Sequence, residues 1–239
     1  MTTPLDNIFW NSLNGHHAHF ASGNAYAKRY SKGFSPIVGF PNLHQPDFDA
    51  LKAFVDIDEQ FYCGGWTGAV SHGWQLHADA FMYRMVWAGS ATDIDIEHDT
   101  QRHQQGFPEL ILRPLTQNDA QQAVDLAKLT NPGPFGLRTI ELGEYLGYFE
   151  GERLVAMSGE RMHAEQYHEV SGVCTHPDYQ GKGLARRLMN RIIMQQLQRQ
   201  EIPFLHVMSH NHSTHDLYLR MGFRNLCETP VRVMSLLHT

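Results

Sequence analysis

The segment Val173-Cys174-Thr175-His176-Pro177-Asp178-Tyr179-Gln180-Gly181-Lys182-Gly183-Leu184-Ala185 leaves a strand, crosses a loop with two glycines and opens a helix. Glycine lets a backbone approach a ligand with no Cβ in the way. The amides at the start of a helix have no partner within it and sit at the positive end of its dipole. Lys182, Arg186 and Arg187 add full charges at that end. Such a stretch forms a pyrophosphate cradle made mostly of backbone. Two familiar nucleotide loops are excluded: no Gly-Lys-Ser or Gly-Lys-Thr occurs, and Gly181-Lys182-Gly183-Leu184-Ala185-Arg186 does not fit Gly-x-Gly-x-x-Gly. A helix start with a glycine-rich turn and no ligand reads the same residues equally well.

The flanks give an alternating plan. After the loop, Leu184, Leu188 and Ile192 form one row, and Met189, Ile193 and Leu197 the next, so a helix over 183–199 has one apolar stripe. Before it, Tyr145–Phe149, the turn Glu150-Gly151-Glu152 and Leu154–Met162 read as a hairpin. A four-residue turn at His163–Gln166 then leads into the strand that ends near Thr175. In that register Glu160 faces Glu169. Like charges across a ladder are destabilising, and the pair is relieved if one carboxylate takes a proton. That makes Glu160 and Glu169 candidates for a general base. Further out, Leu110–Leu115 is a strand, and Thr116 or Asn118 caps a helix to about Lys128. Asn131-Pro132-Gly133-Pro134 breaks that helix. Phe204–Met208 is a strand, His212–Arg220 a helix and Val231–Leu236 a last strand. The class is α+β.

Gln180-x-x-Gly183-x-Ala185 resembles the acetyl-CoA signature of the GNAT superfamily of N-acyltransferases. Leu112-Arg113-Pro114-Leu115-Thr116 with Asp119-Ala120 is similar to that family's first strand and helix. Val170–Pro177 is similar to its central strand, and Asn211-x-x-Thr214-x-x-Leu217-Tyr218-x-x-Met221-Gly222-Phe223 to its closing motif. The resemblance spans 108–239. It is nearest to the subgroup similar to glycine N-acyltransferase, where an extra N-terminal region precedes the catalytic domain.

The resemblance implies a GNAT fold: a central mixed sheet with flanking helices, in which two parallel strands, 169–175 and 204–208, splay apart. It implies acetyl-CoA as cosubstrate and the primary amine of a small molecule or amino acid as acceptor. The backbone of Val173, Cys174 and Thr175 would meet the pantetheine amides. Gln180, Gly181, Lys182, Gly183, Leu184, Ala185 and Arg186 would hold the pyrophosphate. Asn211 would contact the cofactor arm, or cap the helix that follows it. Tyr218 would be the general acid, since a phenol with a reference pKa of about 10 can protonate a leaving thiolate. The loop Asn131–Gly136, with Phe135, falls where the family binds its acceptor. A non-catalytic acyl-CoA-binding or regulatory module is the alternative.

Composition sets limits. The 239 residues are 42% apolar and carry a net charge of −6, which speaks against nucleic acid as a partner. No run reaches the ~18 apolar residues of a membrane span, and Met1–Asp6 lacks the start of a secretory signal. Cys63, Cys174 and Cys227 read as free thiols, pointing to the cytoplasm. Cys174 reads as a small buried strand residue in preference to a nucleophile. His16-His17-Ala18-His19 reads as solvated, and no metal site is expected there or at His210, His212 and His215. The chain is compatible with a homodimer. The polar stretch Ser90–Gly106 reads as an exposed linker, dividing the chain at 107. In 1–107, Asp47 caps a short helix bearing Phe48, Leu51, Phe54 and Val55, and Gln60–Cys63 and Gln75–Trp87 read as strands. This α+β region, which a degenerate GNAT-like unit would also fit, is expected to cover or shape the acceptor site.

Overall fold

Strands β7 (Tyr145–Glu150), β8 (Arg153–Ala164) and β9 (Tyr167–Thr175) form an antiparallel meander in a computed structural model that describes residues 3–238. The meander belongs to one mixed sheet of eleven strands. The others are β1 (Ala21–Gly23), β2 (Lys28–Tyr30), β3 (Ile37–Gly39), β4 (Phe61–Gly64), β5 (Trp74–Trp87), β6 (Leu110–Pro114), β10 (Ile202–Met208) and β11 (Phe223–Leu236). Their order is β1-β2-β3-β4-β11-β5-β10-β9-β8-β7-β6. With α1 (Ile8–Asn14), α2 (Phe48–Leu51), α3 (Ile96–Gly106), α4 (Ala120–Thr130), α5 (Leu184–Gln198) and α6 (His212–Arg220), this is the expected α+β GNAT fold.

The strands alternate between two cores. Leu146, Tyr148, Val155 and Val170 meet the α5 stripe Leu184, Leu188, Met189, Ile192 and Ile193, all buried. On the other face Tyr145, Phe149 and Met157 pack under α4. Further along that second face, α1 places Ile8, Phe9 and Leu13 against Met82, Met162 and Phe204. Asp47 caps α2 by accepting from the Ala50 amide at 2.8 Å, as its position predicts.

Four expectations are corrected. Ser90–Gly106 is not an exposed linker: α3 occupies most of it, capped by Asp95, whose side chain accepts from the His98 amide at 2.9 Å. The inward residues of α3 are polar. Asp99 accepts from Asn190 on α5 at 2.8 Å, and His103 contacts the Leu110 carbonyl at 2.8 Å. An apolar period, the usual sign of a helix, is therefore missing. The turn at 163–166 is tighter than expected. Ala164 pairs with Tyr167 around Glu165, which adopts φ 50°, and a bulge between Glu160 and His163 shifts the register so that Glu160 pairs with Val170. The last strand starts at Phe223, eight residues before Val231; its first half, Arg224–Glu228, is exposed and lacks the apolar run that marks the second. His17 is not solvated: its Nδ1 lies 2.8 Å from the buried Tyr30 hydroxyl.

Candidate active site

The parallel strands β9 and β10 touch only at their starts, through Ile202–Tyr167, Pro203–His168 and Phe204–Glu169. Beyond Glu169, β9 stays with β8, while β10 runs on with β5, from Phe204–Val86 to Met208–Met82. The sheet therefore forks, and Val173, Cys174 and Thr175 have no ladder partner on the side of β10. Gly172, at φ 61°, marks the bend where β9 turns away. A Cβ there would stand 2.9 Å from Tyr145 and 3.2 Å from Phe135. Sequence reading missed Gly172, although a glycine inside a strand pattern is itself a bulge signal. Three polar atoms around this bend are buried with no partner among the described residues: the hydroxyls of Tyr145, Ser158 and Thr175.

A 3-10 turn, Pro177–Tyr179, carries the chain from β9 to α5, and Gln180 Nε2 donates back to the Thr175 carbonyl at 3.3 Å. Gly181 (φ 75°) and Gly183 (φ 74°, the N-cap of α5) take the left-handed conformation. A Cβ on Gly181 would meet nothing within 4 Å, and one on Gly183 only the Arg187 guanidinium at 3.9 Å. Open space therefore lies before the free amides of Leu184 and Ala185. The loop fits a diphosphate, and the orphaned Thr175 hydroxyl with the unpaired edge of β9 fits an amide-bearing arm.

The cations at this end differ in their commitments. Lys182 Nζ sits 4.6 Å over the Tyr179 ring, and Arg186 approaches Asp99 of α3 at 3.5 Å. Farther along α5, Arg191 donates to Thr100 at 2.6 Å, and Arg199, at the opposite end of the helix, pairs with Glu160 and Glu201. Arg187 is buried, donates to the Lys182 carbonyl at 3.2 Å, and has no carboxylate partner among the described residues. It is the charge that sits directly under the loop.

Tyr218 lies on α6, whose first turn is capped by Asn211 accepting from the Thr214 amide at 3.3 Å. The cap uses only the amide oxygen of Asn211. Burial raises the Tyr218 phenol above its ordinary value, and the Cys174 thiol adds to the rise, which places the phenol within electrostatic reach of the forked end of β9. Burial pushes the Cys174 thiol up to about 12. A protonated thiol is no nucleophile, in keeping with the reading of a strand residue.

Glu160 and Glu169 do not face each other as expected. The bulge sets Arg161 and Met162 opposite Glu169, so a cation stands where a like charge was expected. Glu169 is 1% exposed and accepts from Arg161 at 2.8 and 2.9 Å and from His206 at 2.8 Å. Burial alone would raise its pKa. The charge and hydrogen bonds of Arg161, helped by His206, outweigh that and hold it well below the usual carboxylate range. Glu160 lies on the opposite face of the sheet, paired with Arg199 at the end of α5. Nearby, His163, His168 and Glu201 bring ligand-type atoms within 4.8 Å of one another. The two imidazoles are stacked 4.3 Å apart and 8° from parallel, so their in-plane lone pairs run side by side and do not converge on one ion.

A forked sheet, an open glycine cradle at a helix start and a buried tyrosine near the fork characterise this GNAT fold. Residues 107–223 match the sequence model of the acetyltransferase (GNAT) family. Along 99% of its length the chain resembles a solved structure assigned to the GNAT-family acetyltransferases of Novosphingobium aromaticivorans. That chain is covered in full, at 28% identity and a TM-score of 0.82. A GCN5-related N-acetyltransferase-like protein from Streptococcus suis shares the fold at 14% identity and a TM-score of 0.62, over 96% of this chain and 92% of that one. No curated protein sequence matches the chain. Among the described residues, no helix is long and apolar enough to cross a membrane.

Proposed function

We propose that the chain is an acetyl-CoA-dependent N-acetyltransferase whose acceptor is the primary amine of a small molecule or amino acid. The fork at Glu169, with the open cradle of Gly181 and Gly183 on one side and Tyr218 beside it, supports this reading. Backbone groups of Val173, Cys174 and Thr175 would align the pantetheine arm. Gln180 through Arg186, with Arg187 beneath, would hold the pyrophosphate, and Asn211 would meet the arm. The neutral amine would attack the thioester carbonyl directly, and the C–S bond would break. The leaving CoA thiolate would take its proton from Tyr218, and the proton lost by the acylated nitrogen would return through water to the Tyr218 phenolate. Neither Glu160 nor Glu169 acts as the base in this reading, because Glu169 is committed to a buried pair with Arg161 and Glu160 to a pair with the exposed Arg199.

Residues 1–107 shape the acceptor side. Ser35 donates to the Pro134 carbonyl at 2.9 Å, and the Arg138 amide donates to the Gly33 carbonyl at 2.7 Å, so this region holds the loop at 131–136. An N-terminal region ahead of the catalytic part supports the likeness to enzymes similar to glycine N-acyltransferase. The free cysteines Cys63, Cys174 and Cys227 support a reducing, cytoplasmic setting.

The test is release of free thiol from acetyl-CoA over a panel of amines, amino acids and peptides, with calorimetry of CoA binding beside it. Binding with thiol release on some acceptor supports the enzyme. Binding with none across the panel favours the non-catalytic module, and absence of binding removes both.

A further inference from the structure

Tyr145, the first residue of β7, is 2% exposed, and its hydroxyl has no partner among the described residues. A phenylalanine would fill the same space without burying an unmet polar group, and a buried hydroxyl left unpaired is costly. The sheet nevertheless makes room for this ring. It crosses β8 over Gly159, where any Cβ would overlap it. Its hydroxyl oxygen ends 3.5 Å from where a Cβ on Gly172 of β9 would stand. Phe135 packs against the ring at 84°, with 5.7 Å between centroids.

The hydroxyl therefore reaches β9 where the fork opens. Met157 pairs with Cys174 and Gly159 with Ser171, so Gly172 and Val173 stand together opposite Ser158. Such a bulge bends a strand and re-aims what lies beside it. Burial raises the Tyr145 phenol well above its ordinary range, and the charges it feels include Arg161 and Glu169 at the crotch of the fork, and the Cys174 thiol. The phenol keeps its proton and has a hydrogen bond to give. An arm aligned along Val173, Cys174 and Thr175 brings its thioester to rest beside Gly172. Two reacting atoms meet at that point. The attacking nitrogen needs its lone pair, and a donor placed on it would hold that pair back. The carbonyl oxygen gains charge as the carbon–nitrogen bond forms, and a fixed donor there lowers the barrier.

We propose that the Tyr145 hydroxyl donates to the thioester carbonyl oxygen and stabilises its charge during acyl transfer. The inference rests on the acetyltransferase reading and adds a residue to it. As the nitrogen bonds the carbonyl carbon, the carbonyl π pair moves onto oxygen. It returns as the C–S bond breaks, and the pair of that bond leaves with the sulfur, which Tyr218 protonates. Tyr145 keeps its own proton throughout. Its hydroxyl has no partner within the chain because its partner belongs to the substrate.

The experiment compares the wild type with Tyr145→Phe. Acetyl-CoA isotopically labelled at the thioester carbonyl is bound without an acceptor, and infrared difference spectra read the carbonyl stretch. The free-thiol assay, calorimetry with free CoA and melting temperatures accompany it. The carbonyl band is expected at higher wavenumber in the variant, because its oxygen has lost a donor. The kcat should fall about 100-fold, the low end for one oxyanion donor. Affinity for free CoA, which carries no acyl carbonyl, should be unchanged. The variant should melt no lower than the wild type, since it sheds an unmet hydroxyl. An unmoved carbonyl band, or an unchanged kcat, overturns the proposal and leaves the acetyltransferase reading standing. A variant that melts several degrees lower, or does not fold, shows that the hydroxyl is used inside the fold and overturns the proposal too. If acetyl-CoA binds and no acceptor supports turnover, the acetyltransferase reading fails, and the infrared band alone decides on the hydrogen bond. If acetyl-CoA does not bind, both fall.

Discussion

His206 Nδ1 stands 2.8 Å from Glu169 Oε1, and Glu169 is the last residue of β9 to pair with β10 before the strands part. The bond ties the two strands at the crotch of the fork. It also sets the imidazole tautomer. Because Arg84 Nε donates to Nε2, the proton sits on Nδ1 and points at Glu169. Burial lowers the His206 pKa, so the ring is neutral in this role. The fork is thus braced by a buried polar chain on one side and by the α5 core on the other.

Replacing Glu169 tests that brace. Glu169→Gln keeps the shape and leaves Arg161 without its anion, which costs about 3–5 kcal/mol, read as a lower urea midpoint at neutral pH. The folded pKa of Glu169 lies below its unfolded value. Its stabilisation is therefore fully present above about pH 4.3 and is lost as the pH falls toward the folded value. The wild type should lose stability on acidification in that range, and the variant should lose less. The acidic limb of the pH–rate profile should stay where it is, because the carboxylate is ionised throughout. A limb that moves in Glu169→Gln returns this residue to the role of base.

The cradle is open to a simple substitution. Gly183→Ala meets no steric obstacle nearer than 3.9 Å, but it forces an L-residue into left-handed backbone at a cost of roughly 1–2 kcal/mol. That corresponds to a fall in melting temperature of a few degrees, at about 2–4 °C per kcal/mol. The methyl group also stands before the free amides of α5. CoA binding measured by calorimetry should weaken by at least about tenfold, or 1.4 kcal/mol, well beyond what the small stability loss explains. Unchanged CoA affinity would mean that these amides do not hold the cofactor.

Much of this was legible in the residues. The strand–loop–helix at 173–199 shows because glycines and an apolar stripe are local signals, and the Asn211–Phe223 motif shows because it is contiguous. What stayed hidden depends on partners far away in sequence. α3 buries Asp99 and His103 against Asn190 and the Leu110 carbonyl, and no period of apolar residues announces such a helix. The bulge that turns Glu160 away from Glu169 is set by Arg161 entering the pair, a choice of register that alternation alone leaves open. Arg84 offers no local sign at all. Its meaning arises only when β5 is inserted between β11 and β10, which brings Cys227 and His206 to either side of it.

Tyr218→Phe separates acid catalysis from packing. The ring stays buried beside Phe223, 6.0 Å between centroids, so the fold should hold. Loss of the proton donor should lower kcat by about 100-fold, the low end for general acid catalysis, with CoA affinity by calorimetry unchanged. A variant with wild-type kcat on the best acceptor would remove Tyr218 from the reaction.

Acid lability offers a last check on the buried histidines. His163 is stacked between His16 at 3.9 Å and His168 at 4.3 Å. Burial first, and the neighbouring imidazoles second, lower its pKa to about 4, and burial lowers that of His17 to about 3. The unfolded chain takes up protons on these rings near pH 6.5, while the folded chain refuses them until the lower values. Folded stability is therefore full above pH 6.5 and falls as the pH drops through the window to 4, by an amount of the order of 3 kcal/mol for His163 alone. Urea unfolding at pH 7, 6, 5 and 4 measures this slope. His163→Asn should flatten it over that window, because asparagine has no proton to gain. A slope that is the same in the variant would show that the stacked rings accept protons in the folded protein and that their burial does not control its acid stability.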